Sequence, residues 1–178
     1  MSKTYLVITV IGPDKQGTVA SITKVTSENG ANIEESRMAR LGGEFAVIML
    51  ISLPESNRVG LLDGLKMLEA QGLSVFSKDT NLARLAMLEG YVPYEVLVFG
   101  ADHEGIVQKV AEYMASEGIN IESAETQVTK APLTGTPLFS MRAVVQAPPS
   151  LSLHQLRAKL NDVGDALCVD IEVKLGVK

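Results

Sequence analysis

Gly12 and Gly17 bracket Pro13, Asp14, Lys15 and Gln16 in the stretch VIGPDKQGTVA, with an apolar run before it and a helical pattern after it. A loop of this kind sets backbone N–H groups and the positive end of a helix dipole against whatever anion fits. A polyphosphate loop of the form G-x-x-x-x-G-K-[ST] requires a lysine directly after the second glycine to reach the outer phosphates. Thr18 stands there instead, and the stretch contains no G-x-G-x-x-G. Without that lysine a single carboxylate is the better-matched anion. The competing reading is a plain strand-to-helix turn. Asp14 would then bond neighbouring backbone, and Gly17 would supply a permissive φ.

The loop occurs twice. VIGPDKQGTVASITKVTSENGANIEE aligns without a gap on VFGADHEGIVQKVAEYMASEGINIES, at a constant offset of 88 positions. Gly12 falls on Gly100, Asp14 on Asp102, Gly17 on Gly105, Gly30 on Gly118 and Asn32 on Asn120. This many matches in one register mark a duplicated domain. Ile106 follows Gly105, so the phosphate-binding lysine is missing from the second copy as well. Asn32 and Asn120 come just past each helix, at the start of a second strand. The first and second strands are expected to return to neighbouring ends of the unit, which would bring each Asn amide to its loop. An amide accepts from an ammonium and donates to a carboxylate, so loop and Asn together suit a small zwitterion such as an amino acid. Either Asn alone reads equally well as a turn residue.

The elements that must position these residues follow the same order in both copies. TYLVITVI and YEVLVFG are short β-branched runs, hence strands. After each loop, Val19, Ile22 and Val25, or Val107, Val110 and Met114, recur at helical spacing. Gly30 and Gly118 sit where a helix C-terminus favours positive φ. ANIEESRMAR and INIESAETQV alternate as half-exposed strands. Gly42-Gly43 turns the first copy into FAVIMLISL, an unbroken apolar run expected to be buried on both faces. The second copy uses the longer loop TKAPLTGTP before LFSMRAVVQA. Second helices carry Leu61, Leu62, Leu65 and Leu68, and Leu153, Leu156, Leu160 and Val163. LSVFSKD and VDIEVKL close the units as strands. The fold class is therefore α+β: two ferredoxin-like βαββαβ units of about 80 residues each. Each is a four-stranded antiparallel sheet with two helices on one face, and its first and third strands are central. The units are placed at residues 1–80 and 93–178. The linker at 81–92 is a short helix or an extended segment.

Composition limits the function. The chain has 178 residues, 46% hydrophobic and 21% charged, with net charge −5 and pI near 5.1. No basic block is present, which argues against direct nucleic-acid contact and against an electrostatic membrane anchor. No apolar run reaches the roughly 18 residues of a membrane-spanning helix. The apolar N-terminal run stops at Gly12-Pro13 and reads as a strand rather than a signal peptide. The single cysteine, Cys168, makes no internal disulfide, fits a reducing cytoplasm and reads as a small core hydrophobe. His103 and His154 lie in different elements and read as surface residues. No nucleophile elbow, H-E-x-x-H or paired-cysteine motif is present, so neither catalytic nor metal-binding residues are assigned and no enzyme is expected.

At the loop and helix residues the sequence resembles the ACT domain family. GPDKQGTVASI…SENGANI looks like that family's G-P-D-x-x-G-[IV]-[VL]-x-x-[IV]…G-x-N-I signature. GADHEGIVQKV…SEGINI matches with Ala101 in place of proline. The resemblance covers nearly the whole chain as two units. It implies amino-acid-binding regulatory modules that take ligand where two units meet, using this loop. It places the ligand residues at Gly12, Pro13, Asp14 and Gly17 with Asn32, and at Gly100, Asp102 and Gly105 with Asn120. Lys15-Gln16 in one loop against His103-Glu104 in the other leaves the two sites free to differ.

A stand-alone tandem pair of this length is similar to the glycine cleavage system transcriptional repressor family. That similarity implies a cytoplasmic glycine sensor acting on a transcription activator protein rather than on DNA, with a small amino-acid effector (glycine or similar) and no cofactor. Two other classes stay open: a detached ACT regulatory subunit of an amino-acid-metabolism enzyme, and an assembly module with degenerate loops. All three need a protein partner. An edge strand of each sheet offers unpaired backbone for a homo-oligomer such as a dimer.

Overall fold

The computed structural model describes residues 3–81 and 90–176. Of the expected linker at 81–92, residues 82–89 lie outside the described residues. The chain divides into two compact units. The first runs β1 (Lys3–Pro13), α1 (Thr18–Glu28), β2 (Asn32–Leu41), β3 (Glu44–Pro54), α2 (Arg58–Met67) and β4 (Ser74–Asp79). The second repeats it as β5 (Val92–Ala101), α3 (Ile106–Ser116), β6 (Asn120–Lys130), β7 (Pro137–Ala147), α4 (Leu153–Leu167) and β8 (Val169–Leu175). The sheets are antiparallel, in the orders β2-β3-β1-β4 and β6-β7-β5-β8. The first and third strands of each unit are central, as their apolar content requires.

Period-2 alternation turns Leu6, Ile8 and Val10 of β1 and Val47, Met49 and Ile51 of β3 toward the helices, all at most 2% exposed. Ile22, Leu61, Leu65 and Leu68 from the helices close the same core. Burying each of these aliphatic side chains contributes about 1.5–3 kcal/mol. The second unit is built alike, with Val96, Val98, Val110, Met114, Leu156 and Leu160 at its centre. Gly60 and Gly64 fall one turn apart on α2, where an added Cβ would lie 2.8 Å from the side chains of Asn29, which follows α1, and of Val25 on α1. Gly42 and Gly43 both take positive φ, 61° and 88°, which suits the tight turn between β2 and β3. Among the described residues no helix is long and apolar enough to cross a membrane.

Three expectations change. The buried stripe of α1 is Thr18, Ile22 and Thr26, and that of α3 is Ile106, Val110 and Met114. Val19 and Val107 are 40% and 47% exposed. The threonines can go inside because their hydroxyls donate to the Lys15 and Thr23 carbonyls at 2.9 and 2.8 Å. β3 is not buried on both faces, since Ile48 is 50% exposed on the side away from the helices. Cys168 is no core residue: it is exposed and caps α4 at φ 53°.

Candidate functional site

Each strand-to-helix loop is shaped by two glycines with different jobs. A Cβ on Gly12 would lie 2.8 Å from the Gly72 carbonyl oxygen and 2.8 Å from Leu73 Cδ2. On Gly100 it would lie 2.7 Å from Val169 Cγ1. These glycines let the last strand of each unit enter beside the first. Gly17 and Gly105 instead have φ 88° and 92°, with open space where a Cβ would sit. They precede the helices, and no side chain caps either N-terminus. Asp14 is therefore not a cap. Its N–H donates to the Gly43 carbonyl at 3.0 Å, and its carboxylate pairs with Arg40 Nη1 at 3.3 Å. Asp102 N–H donates to the Pro137 carbonyl at 3.0 Å. Pro13 ends β1, exposed and opposite Glu44.

The two asparagines do not reach these loops within their own units. Asn32 lies opposite Ser52, level with Tyr5 of β1, while Gly12 stands seven residues further along that strand. At about 3.4 Å per residue the separation is roughly 24 Å. Asn120 lies opposite Gln146, level with Pro93, and Gly100 is again seven residues on. The reason is directional: the helix carries the chain back to the start of the first strand, so the second strand begins at the far end of the sheet. The expectation that loop and Asn share one end of a unit is thus corrected.

At that far end β2 and β6 each bulge by one residue, between Ile33 and Glu35 and between Ile121 and Ser123. A bulge re-aims the extra side chain, here Glu34 and Glu122. Glu34 accepts from the buried Ser52 hydroxyl and from Lys3 Nζ at 3.1 Å. Hydrogen bonds from Ser52, then Lys3, then Asn32 hold its carboxyl down to about 2. Glu122 accepts from Gln146 at 3.0 Å.

What gathers at the loop end was not read from the motif. In the first unit it is Arg40, which the β2–β3 register sets opposite Phe45, itself opposite Gly12. An exposed guanidinium beside a carboxylate, next to uncapped helix amides, can meet both ends of a zwitterion. The same register in the second unit puts Val128 in the arginine's place. Strand pairing was the signal that could have found Arg40. Lys15 and His103, noted only as a difference between the loops, turn out to bridge the same two elements. Lys15 Nζ lies 3.5 Å from the Gln71 carbonyl, and His103 Nε2 lies 2.7 Å from the Leu167 carbonyl.

Residues 4–77 match the family model described as ACT domain, and the second unit repeats that topology strand for strand. The first unit thus matches the ACT domain family, and the chain as a whole is similar to a tandem of such units. Over 177 residues it is 29% identical to the glycine cleavage system transcriptional repressor of Escherichia coli K12, covering 97% of this chain and 88% of the relative. A solved structure of an unknown protein from Galdieria sulphuraria is 31% identical, with TM-score 0.82, covering 99% of this chain and all of that one. Another, whose assignment as a glycine cleavage system transcriptional repressor is provisional, is 25% identical, with TM-score 0.76, and each chain covers the other in full.

Proposed function

We propose that this tandem ACT-domain protein is a non-catalytic regulator that senses a small amino acid, glycine or similar, and acts through a protein partner rather than on DNA. The observation that carries the reading is the loop end of the first unit. There an uncapped helix N-terminus opened by Gly17 lies next to the exposed Arg40–Asp14 pair, in a chain related over nearly its whole length to a glycine cleavage system transcriptional repressor. A ligand carboxylate would take the helix amides and Arg40, and its ammonium would take Asp14. The first loop is the stronger site because Val128 replaces the arginine in the second. Asn32 and Asn120 stand at the far end of their own sheets and are not part of this loop site. The net charge of −5 supports a protein partner such as a transcription activator over nucleic acid. The free thiol of Cys168 fits a cytoplasmic setting, and the edge strands β2 and β6 are open to a second copy.

The test is calorimetric titration of the full chain with each of the twenty amino acids. Glycine or a close analogue is expected to bind. At a ligand concentration of about 100 Kd the native state should gain about 2.7 kcal/mol. Asp14→Ala, Arg40→Ala and Gly17→Val should each weaken binding, whereas Asp102→Ala should matter less. Silence for all twenty amino acids removes the sensor reading.

A further inference from the structure

Lys15 and His103 occupy the same place in the repeat, 88 positions apart. Each sends its charged end to the last carbonyl before the left-handed residue that closes the second helical segment, which is α2 continued by a 3-10 turn over Leu68–Gln71 in the first unit and α4 in the second. That residue is Gly72 at φ 84° in the first unit and Cys168 at φ 53° in the second. The residue after it, Leu73 or Val169, is the one that packs on Gly12 or Gly100. The bridging contact therefore ties the loop to the same structural corner in both units. The negative end of a helix favours a cation at this place. Chemistry differs between the copies. Lys15 brings an amine with donors only, and its counterpart brings an imidazole. His103 sets Nε2 at 2.7 Å from the Leu167 carbonyl and Nδ1 at 3.0 Å from the Glu104 carbonyl. Both partners are acceptors, so both nitrogens must carry hydrogen for both contacts to be bonds. A neutral imidazole has one N–H and would set a lone pair against the other carbonyl oxygen.

We propose that a cation latches each loop to the end of its unit's second helical segment, and that the latch of the second unit opens when His103 loses its proton while that of the first stays closed. The charged and titratable groups on the elements meeting at this corner are Asp102 and Glu104 on the loop, Asp165 on α4, the Cys168 thiol beyond it and Asp170 on β8; of these it is the Asp102 charge that acts on His103, and it favours the closed form. Two cations stand on the neighbouring elements. Lys130 of β6 lies opposite Pro137, and Lys109 of α3 is engaged by Glu112 at 3.0 Å. The bonds to the Glu104 and Leu167 carbonyls, with the Asp102 charge, raise the His103 pKa above its usual 6.5. The sign follows: the latch is fully closed below the ordinary histidine range and is lost as pH rises through the raised value.

The experiment is amide hydrogen exchange on the full chain between about pH 6 and 9, corrected for intrinsic exchange, alongside NMR titration of both histidine rings. Protection of residues 102–106 is expected to fall roughly two- to fivefold as His103 deprotonates, while residues 14–18 keep theirs. His103→Lys should keep the second loop protected across the range, and His103→Gln should leave it loose at every pH. His103 titrating at or below the usual 6.5, or loop protection indifferent to the His103 titration in the wild-type chain, overturns the proposal. The wild-type measurement decides it even if a variant folds poorly.

Discussion

Gly12→Ala should destabilise the first unit without removing any group from the candidate site. The added methyl would sit 2.8 Å from the Gly72 carbonyl oxygen, 2.8 Å from Leu73 Cδ2 and 3.2 Å from Leu73 Cα. Leucine's Cδ2 can swing away, but a carbonyl and a Cα cannot move without the chain. The strand entry would have to shift by several tenths of an ångström, next to the Ile11–Ser74 pair that begins the β1–β4 ladder. Overpacking of this kind costs about 1–3 kcal/mol. For a unit of this size each kcal/mol is worth about 4–8 °C in Tm, so a loss on the order of 10 °C is expected. Gly17→Ala gives the contrast: its Cβ meets nothing within 4 Å, yet φ is 88°, so the cost is left-handed strain alone, about 1–2 kcal/mol. The assay is thermal and urea unfolding of the full chain, followed by amide NMR signals assigned to the first unit, because the two units need not melt together. A Gly12→Ala midpoint within about 2 °C of wild type would refute the close-packing argument.

Two further outcomes follow. Cys168 is the sole described non-glycine residue at positive φ, and its counterpart in the first unit is Gly72. Cys168→Gly should therefore raise the stability of the second unit by about 1 kcal/mol in urea unfolding, and an unchanged or lower midpoint would contradict it. Glu34 has its carboxyl held near 2, below the ordinary 4.5. Its contribution is thus present above about 4.5 and lost as pH falls through about 2. Glu34→Gln should flatten the acid dependence of first-unit stability between those values. A Glu34 side-chain carbon signal that titrates in the usual carboxylate range would show that the Ser52–Lys3 cluster does not hold it.

The sequence by itself determined the repeat, the βαββαβ order and which strands are central. These rest on local patterns: short β-branched runs such as TYLVITVI, period near 3.6 in LLDGLKML, and glycines where φ must be positive. It also located both loops, because the 88-residue register left little freedom there. Finer burial was less legible. Val19 and Val107 are as apolar as a core residue, yet Thr18 and Ile106 face inward. A helix's rotation is set by the sheet beneath it, and a threonine hydroxyl can be satisfied locally.

Only the tertiary structure decided which residues share a place. Asn32 is close to Gly17 in the chain but roughly 24 Å from the Gly12 end of the loop in its unit, since strand direction and length fix that separation. Arg40 is distant in sequence but reaches Asp14, because antiparallel pairing folds the end of β2 over the end of β1 through β3. Neither Lys15 nor His103 shows in its motif the carbonyl it will meet. That partner is fixed where the second helical segment ends, and it becomes a neighbour only when Gly12 or Gly100 admits the last strand. Periodicity is a property of a segment, whereas a site is a property of which ends meet.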